Sequence, residues 1–198
     1  MRNIVADQLE RTIEILNAVA QDVGLQEALV DAAEKTASAM RSGHKLMVAG
    51  NGGSAADAQH IVAEFVSRLV KDRPALRAIA LTTDSSILTA VGNDYGYECV
   101  FARQIEALGQ PGDVFLAIST SGNSPNIVRA LELAHSSGVL TVGLTGESGG
   151  QMKRFCDICI RVPSTVTMNI QEAHLALEHI FCLVVEQVYF SETNLLRQ

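Results

Sequence analysis

The sequence predicts an α/β fold, a three-layer αβα sandwich around a five-stranded parallel sheet preceded by an N-terminal helical hairpin. Two observations carry this. Five short apolar runs, each apolar on both faces, alternate with helical stretches, the pattern of a sheet covered on both sides. The chain has 198 residues and is 47% hydrophobic, enough for one substantial core. Residues 1–198 are therefore expected to form one domain: a hairpin over 1–43, a core over 44–163 and a C-terminal helix over 169–191.

The elements follow in order. Val5, Leu9, Ile13, Leu16 and Ala20 recur at helical spacing, and Leu25, Leu29, Ala32, Thr36 and Met40 repeat the pattern after Gly24. Ser42-Gly43 ends this hairpin. Lys45-Leu46-Met47-Val48-Ala49 is the first strand; it runs into a glycine-rich turn and a helix expected from about Ser54 to Val70. Ala78–Leu81, Val114–Ile118, Leu140–Leu144 and Ile158–Val162 are the other strands. The last helix is expected from about Ile170 to Phe190, and its second half, Leu177 to Val188, is apolar on nearly every face, which predicts subunit contacts there.

Composition excludes several functions. A net charge of -7 and a pI near 5.2 leave no clustered basic surface for nucleic acid. Met1-Arg2-Asn3-Ile4-Val5-Ala6-Asp7 does not resemble a signal peptide. The apolar run Ile180–Val185 is far shorter than the roughly 20 residues needed to span a bilayer, so the expectation is a cytoplasmic protein with no membrane partner. Of Cys99, Cys156, Cys159 and Cys182, the pair Cys156 and Cys159 forms a C-x-x-C spacing. With no second pair and a strand running through it, it reads as packing.

In a parallel sheet, ligands bind at the carboxyl ends of the strands. Gly50-Asn51-Gly52-Gly53-Ser54-Ala55 follows the first strand and satisfies G-x-G-x-x-A. No acidic residue closes the second strand as a dinucleotide reader requires, which favours the polar end of a sugar over a nucleotide. Ser119-Thr120-Ser121-Gly122-Asn123-Ser124 brings four hydroxyls to the start of a helix opened by Pro125, where free N–H groups and the helix dipole suit a monophosphate. The plainer reading is that Ser124 caps the helix. His60 and Glu64, four apart, stand on one helical face one turn apart, a spacing that suits a metal or acid/base pair as well as a surface hydrogen bond. Gln171, Glu172, His174, Glu178 and His179 place polar groups on the otherwise apolar last helix, so some of them must face a polar site.

The ordered set Ala49 to His60, Gly92-Asn93-Asp94-Tyr95-Gly96, Ser119 to Ser124, Ile170-Gln171-Glu172 and His179 closely resembles the phosphoheptose isomerases of the sugar isomerase (SIS) domain family, from about Ile13 to Phe190. That resemblance implies a flavodoxin-like SIS fold and a homotetramer with active sites at subunit interfaces. It implies conversion of D-sedoheptulose 7-phosphate to D-glycero-D-manno-heptose 7-phosphate, the first step toward nucleotide-activated heptose for bacterial surface polysaccharide. By motif position it assigns one Zn2+ per subunit to His60, Glu64, Gln171 and His179. Substrate contacts fall to Asn51, Gly52, Gly53, Ser54, Glu64, Asn93, Asp94, Ser119, Thr120, Ser121, Ser124 and Gln171, with Arg68, one turn beyond Glu64, near the same site. Glu64 would be the base and His179 the acid/base partner.

On a regular helix Gln171 and His179 lie about 12 Å apart along the axis. One metal takes both only if Gln171 sits at an irregular helix start or comes from a neighbouring subunit. The stretch Ser164-Thr165-Val166-Thr167-Met168-Asn169 also departs from the family pattern, which carries a basic residue just before Ile-Gln. The rival readings are a non-catalytic SIS scaffold that binds the replication initiator protein and an isomerase of another sugar phosphate. The presence of His60, Glu64 and His179 favours catalysis.

Overall fold

A computed structural model describes residues 2–191 of the chain. Five parallel strands, β1 (Leu46–Gly50), β2 (Ala78–Ala80), β3 (Val114–Ser119), β4 (Leu140–Gly146) and β5 (Ile158–Val162), form one sheet in the order β2-β1-β3-β4-β5. Every neighbouring pair is parallel, with Ala49 opposite Ala117 and Ile118 opposite Leu144. The predicted fold class and all five strands are present.

Alternation along the strands divides the core. Leu46, Val48, Leu116, Ile118, Val142 and Leu144 face one layer, made by α2 (Val23–Arg41), α3 (Gly53–Val66) and α7 (Thr167–Ser191). Met47, Ala49, Phe115 and Ala117 face the other, made by α5 (Ala102–Leu108) and α6 (Pro125–Ser136). The two clusters share no residue, and burial of these side chains on both faces supplies the main driving force for folding. A short helix, α4 (Ser85–Asp94), follows β2 and is capped by the Asp84 side chain on the Ile87 N–H.

Three expectations change. The helix after β1 stops at Val66, not Val70, because Ser67 leaves helical geometry and Arg73 caps the exposed carbonyls of Glu64 and Phe65, both at 2.7 Å. Arg68 is therefore outside the helix and exposed, not one helical turn beyond Glu64. In α7, Leu177, Phe181, Cys182 and Val185 are buried by the chain's own core, leaving only Ile180 and Leu183 as large exposed apolar groups in that half. The broader bare apolar face belongs to α1 (Arg2–Gln21), where Ile4, Val5, Leu9 and Ile13 are all more than half exposed. This helix is joined to α2 by the single residue Asp22, packs on it only near that end through Val19, and touches the start of α7, where Thr12 donates to Glu172 at 2.6 Å. By length and composition α7 would cross a membrane, but half of its apolar stretch is packed inside the protein, as in a core helix.

Candidate active site

The strand order places a switch between β1 and β3, whose connections leave toward opposite edges of the sheet, and a crevice opens beyond the carboxyl ends of these strands. The two glycine and serine loops read from the sequence flank it. After β1 the chain turns at Gly52, whose φ of 58 with ψ of -120 only glycine adopts easily, and enters α3 at Gly53. Asn51 is fixed by a reciprocal amide pair with Asn126 at the start of α6: each Nδ2 donates to the other's Oδ1, at 2.9 and 2.8 Å. Tyr97 Oη reaches the same Asn51 Oδ1 at 3.4 Å. Asn126 and Tyr97 were not singled out from the sequence; an asparagine immediately after the helix-opening Pro125, at the mouth of the serine loop, is the signal that was available.

After β3, Ser119 is buried, Thr120 and Ser124 are half-buried and Ser121 is exposed. Ser124 occupies the N-cap position of α6, yet its hydroxyl makes no capping bond and lies 3.1 Å from the Ser119 hydroxyl instead. The plain capping role is therefore absent, and the loop keeps hydroxyls at a helix N-terminus, the arrangement that favours an anion. Ser54 is buried at the start of α3. Asn93 and Asp94 end α4, exposed and joined by a 2.7 Å hydrogen bond.

The helix pair α3 and α7 supplies the second half of the site. His60 Nε2 lies 2.8 Å from His179 Nε2, with the rings edge-on at 88°, and 3.7 Å from Glu64 Oε1. One ligand atom from each of these three residues falls within 4.8 Å of the others. The His60 and Glu64 side chains are 42% and 18% exposed, so the cluster opens outward rather than into the core. Two nitrogens and a carboxylate oxygen are donors zinc accepts. Tetrahedral zinc with Zn–N near 2.05 Å separates two nitrogens by about 3.3 Å, so a slight opening of the histidine pair admits the ion.

Gln171 lies elsewhere on the same face. Its Nε2 donates to Asp57 Oδ2 at 3.0 Å, and its amide packs so closely on Gly53 that a Cβ there would come within 2.1 Å of it. It is four residues inside a regular α7, which excludes an irregular helix start as the way for it to share a metal with His179. Burial raises the Asp57 carboxyl above its ordinary value, against the opposing pull of the Gln171 hydrogen bond and His60. Of the other polar residues of α7, Glu172 bonds Asn169 and Thr12, while His174 and Glu178 are buried. Burial, with the Asp57 charge adding to it, pushes Glu178 up to about 8. Arg73, also unanticipated, joins the helices: besides capping α3 it donates to Glu186 Oε2 of α7 at 2.8 Å.

Residues 9–146 match the model of the SIS domain. A phosphoheptose isomerase from Aneurinibacillus thermoaerophilus is 50% identical over 190 residues, 96% of either chain. The phosphoheptose isomerase 2 of Campylobacter jejuni is 52% identical over 181 residues, covering 91% of this chain and 90% of that one. This chain belongs to the phosphoheptose isomerases of the SIS domain family. The structure of phosphoheptose isomerase GmhA from Neisseria gonorrhoeae superposes with a TM-score of 0.88 at 40% identity, over 94% of this chain and 98% of that one. The Francisella tularensis phosphoheptose isomerase gives the same TM-score at 37% identity. These relatives span the sheet, the loops and the α3–α7 pair alike, so the family membership covers the whole crevice.

Proposed function

We propose that the chain isomerises D-sedoheptulose 7-phosphate to D-glycero-D-manno-heptose 7-phosphate, the first step toward nucleotide-activated heptose, in the cytoplasm. The observation that carries this is the convergence of His60, Glu64 and His179 beside a hydroxyl-rich helix N-terminus, in a chain half identical to phosphoheptose isomerases.

The residues divide the work. Ser119, Thr120, Ser121 and Ser124, with the first N–H groups of α6, take the phosphate and set the sugar's register. Asn51, Gly52, Gly53 and Ser54 line the β1 side of the crevice, with Asn93, Asp94 and Arg68 reaching the sugar from its rim. Gln171, whose N–H is taken up by Asp57, turns its carbonyl oxygen toward the sugar hydroxyls. Glu64 lifts the proton from C1 of the ketose and returns it to C2, and His179 moves the proton between the two oxygens as the carbonyl changes place. His60, Glu64 and His179 would hold the metal within one chain, and Gln171 joins them only from another copy. Bound zinc supplies Lewis acidity toward the oxygens on which negative charge develops.

The outward-facing cluster and the bare apolar stripe of α1 support a homotetramer with sites at its interfaces. Zinc-loaded Glu64→Gln is expected to lose at least about 100-fold in turnover while keeping its assembly and circular dichroism. An active Glu64→Gln protein overturns the mechanism. Wild type that retains metal but turns over no heptose phosphate overturns the substrate. Anomalous scattering at the zinc edge shows which copies supply the donors.

A further inference from the structure

The C-x-x-C pair gains a different meaning once its sulfurs are placed. In β5, Ile158, Ile160 and Val162 point into the α2–α7 core, so Cys159 points to the opposite face. Its partner in the sheet is Gly143 of β4, whose neighbours Val142 and Leu144 also face the α2–α7 core. The missing side chain of Gly143 therefore leaves a gap beside Cys159. Cys156, where the chain leaves a short 3-10 turn (Met152–Phe155), fills that gap: a Cβ on Gly143 would lie 2.5 Å from Cys156 Sγ. Cys156 thus occupies the space that the strand partner of Cys159 leaves empty, which sets the two thiols side by side on one face of the sheet. Both are half-buried and so reachable, unlike the buried Cys99 and Cys182.

We propose that Cys156 and Cys159 form a reversible redox site, in which a small-molecule disulfide such as glutathione disulfide oxidises the two thiols to one intramolecular disulfide. Cys159 is the attacking group. The neighbouring Cys156 thiol and the cations Arg161 and Lys153, whose side chains meet over Gly149, hold the Cys159 thiol below the ordinary range. The Cys159 thiolate attacks one sulfur of the small disulfide, forming a mixed disulfide and expelling one thiolate. Cys156 then gives up its proton and attacks Cys159 Sγ, expelling the second thiolate. The protein loses two electrons and two protons, and one disulfide becomes two thiols.

The bridge acts on the anion loop. Cys156 Sγ donates to the Met152 carbonyl at 3.2 Å, a bond that disappears with its proton, and a disulfide of about 2.05 Å draws the sulfurs closer than any non-bonded contact. The same turn buttresses the loop, for the Met152 N–H donates to the Gly122 carbonyl at 2.9 Å and the Gln151 N–H to Asn123 Oδ1 at 3.0 Å. Closing the bridge thus shifts the loop that holds the substrate phosphate, a consequence that rests on the proposed isomerase activity.

The test is native protein incubated with glutathione disulfide, alkylated and weighed by mass spectrometry with peptide mapping. Wild type is expected to lose two alkylation sites, at Cys156 and Cys159, without retaining glutathione, and to recover both with dithiothreitol. Cys156→Ser should stop at a single glutathione adduct on Cys159. Continued alkylation of both thiols in wild type, a stable mixed adduct there, or a bridge to Cys99 or Cys182 overturns the proposal. Oxidised wild type should show a KM for the sugar phosphate raised several-fold with kcat changed less, and an unchanged KM overturns the link to the loop. Should reduced protein turn over no sugar phosphate, the isomerase reading fails while the thiol accounting still decides the redox site.

Discussion

The two ends of the sheet treat buried polar groups in opposite ways. Below the strands, Asp113 just ahead of β3 is only 1% exposed, yet each of its oxygens is matched. It accepts the Lys45 N–H at 3.0 Å and the Gln110 N–H at 2.8 Å, and it pairs with the Lys45 ammonium. Burial alone would raise its pKa, but Lys45 and these N–H groups outweigh burial and hold it below the ordinary carboxylate value. Toward the crevice, Thr145 Oγ1, both ring nitrogens of His174 and both carboxyl oxygens of Glu178 are buried without a hydrogen-bond partner. One end spends its polar groups on ordering the strands. The other keeps polar groups where they cost stability, next to the face that carries His60, Glu64 and His179.

The sharpest way to break this contrast is Asp113→Ala, which strips the Lys45 ammonium and the Lys45 and Gln110 N–H groups of their common partner. It is expected to destabilise the protein by about 3 kcal/mol, read from urea melts at fixed protein concentration, while turnover per folded molecule is preserved. A loss of turnover without a loss of stability would put Asp113 on the functional side instead. Next in size is Gly53→Ala at the opposite end. The new methyl displaces the Gln171 amide from Asp57, and because only the tip of a flexible side chain has to move, the urea midpoint should change little. Turnover should fall by about 10- to 100-fold, since a displacement of about 1 Å of a positioning group is worth that much. Unaltered kinetics would remove Gln171 from the substrate.

The same contrast explains what the sequence disclosed. Strands are short apolar runs whose partners lie on either side, so Val114–Ile118 and Leu140–Leu144 are legible locally. Helix ends depend on distant groups: nothing near Val66 announces that Arg73 will cap α3 and tie it to Glu186. His60 and Glu64 share a face by spacing alone, whereas the approach of His179 to 2.8 Å is a product of how α3 packs on α7. Among the polar residues of α7, the pattern indicated that some must face a polar site without distinguishing them. Packing sends Gln171 to Asp57, His179 to His60, and His174 and Glu178 into the interior. The C-x-x-C spacing read as packing because the gap at Gly143, on a different strand, is invisible from the motif.

His174 gives the smallest and most specific test of the unmatched end. Burial lowers its pKa to about 4, and the nearby Thr145 carbonyl offsets this only in part, without a well-formed hydrogen bond to either ring nitrogen. The unfolded chain takes up a proton near the ordinary value of 6.5, while the folded chain resists until about 4. Between these values the unfolded state binds more protons, so this residue's contribution to stability falls as the pH drops through that window and is level outside it. Glu178, raised by burial, works the other way, losing stability as the pH rises toward 8, so the raw profile mixes the two. The difference between His174→Leu and wild type isolates the histidine. On acidification from 6.5 to 4 the variant should gain stability relative to wild type by about 1 kcal/mol per pH unit, measured by urea melts across that range. A difference independent of pH would show that His174 is matched after all, by a group that takes up its proton equally well in the folded protein.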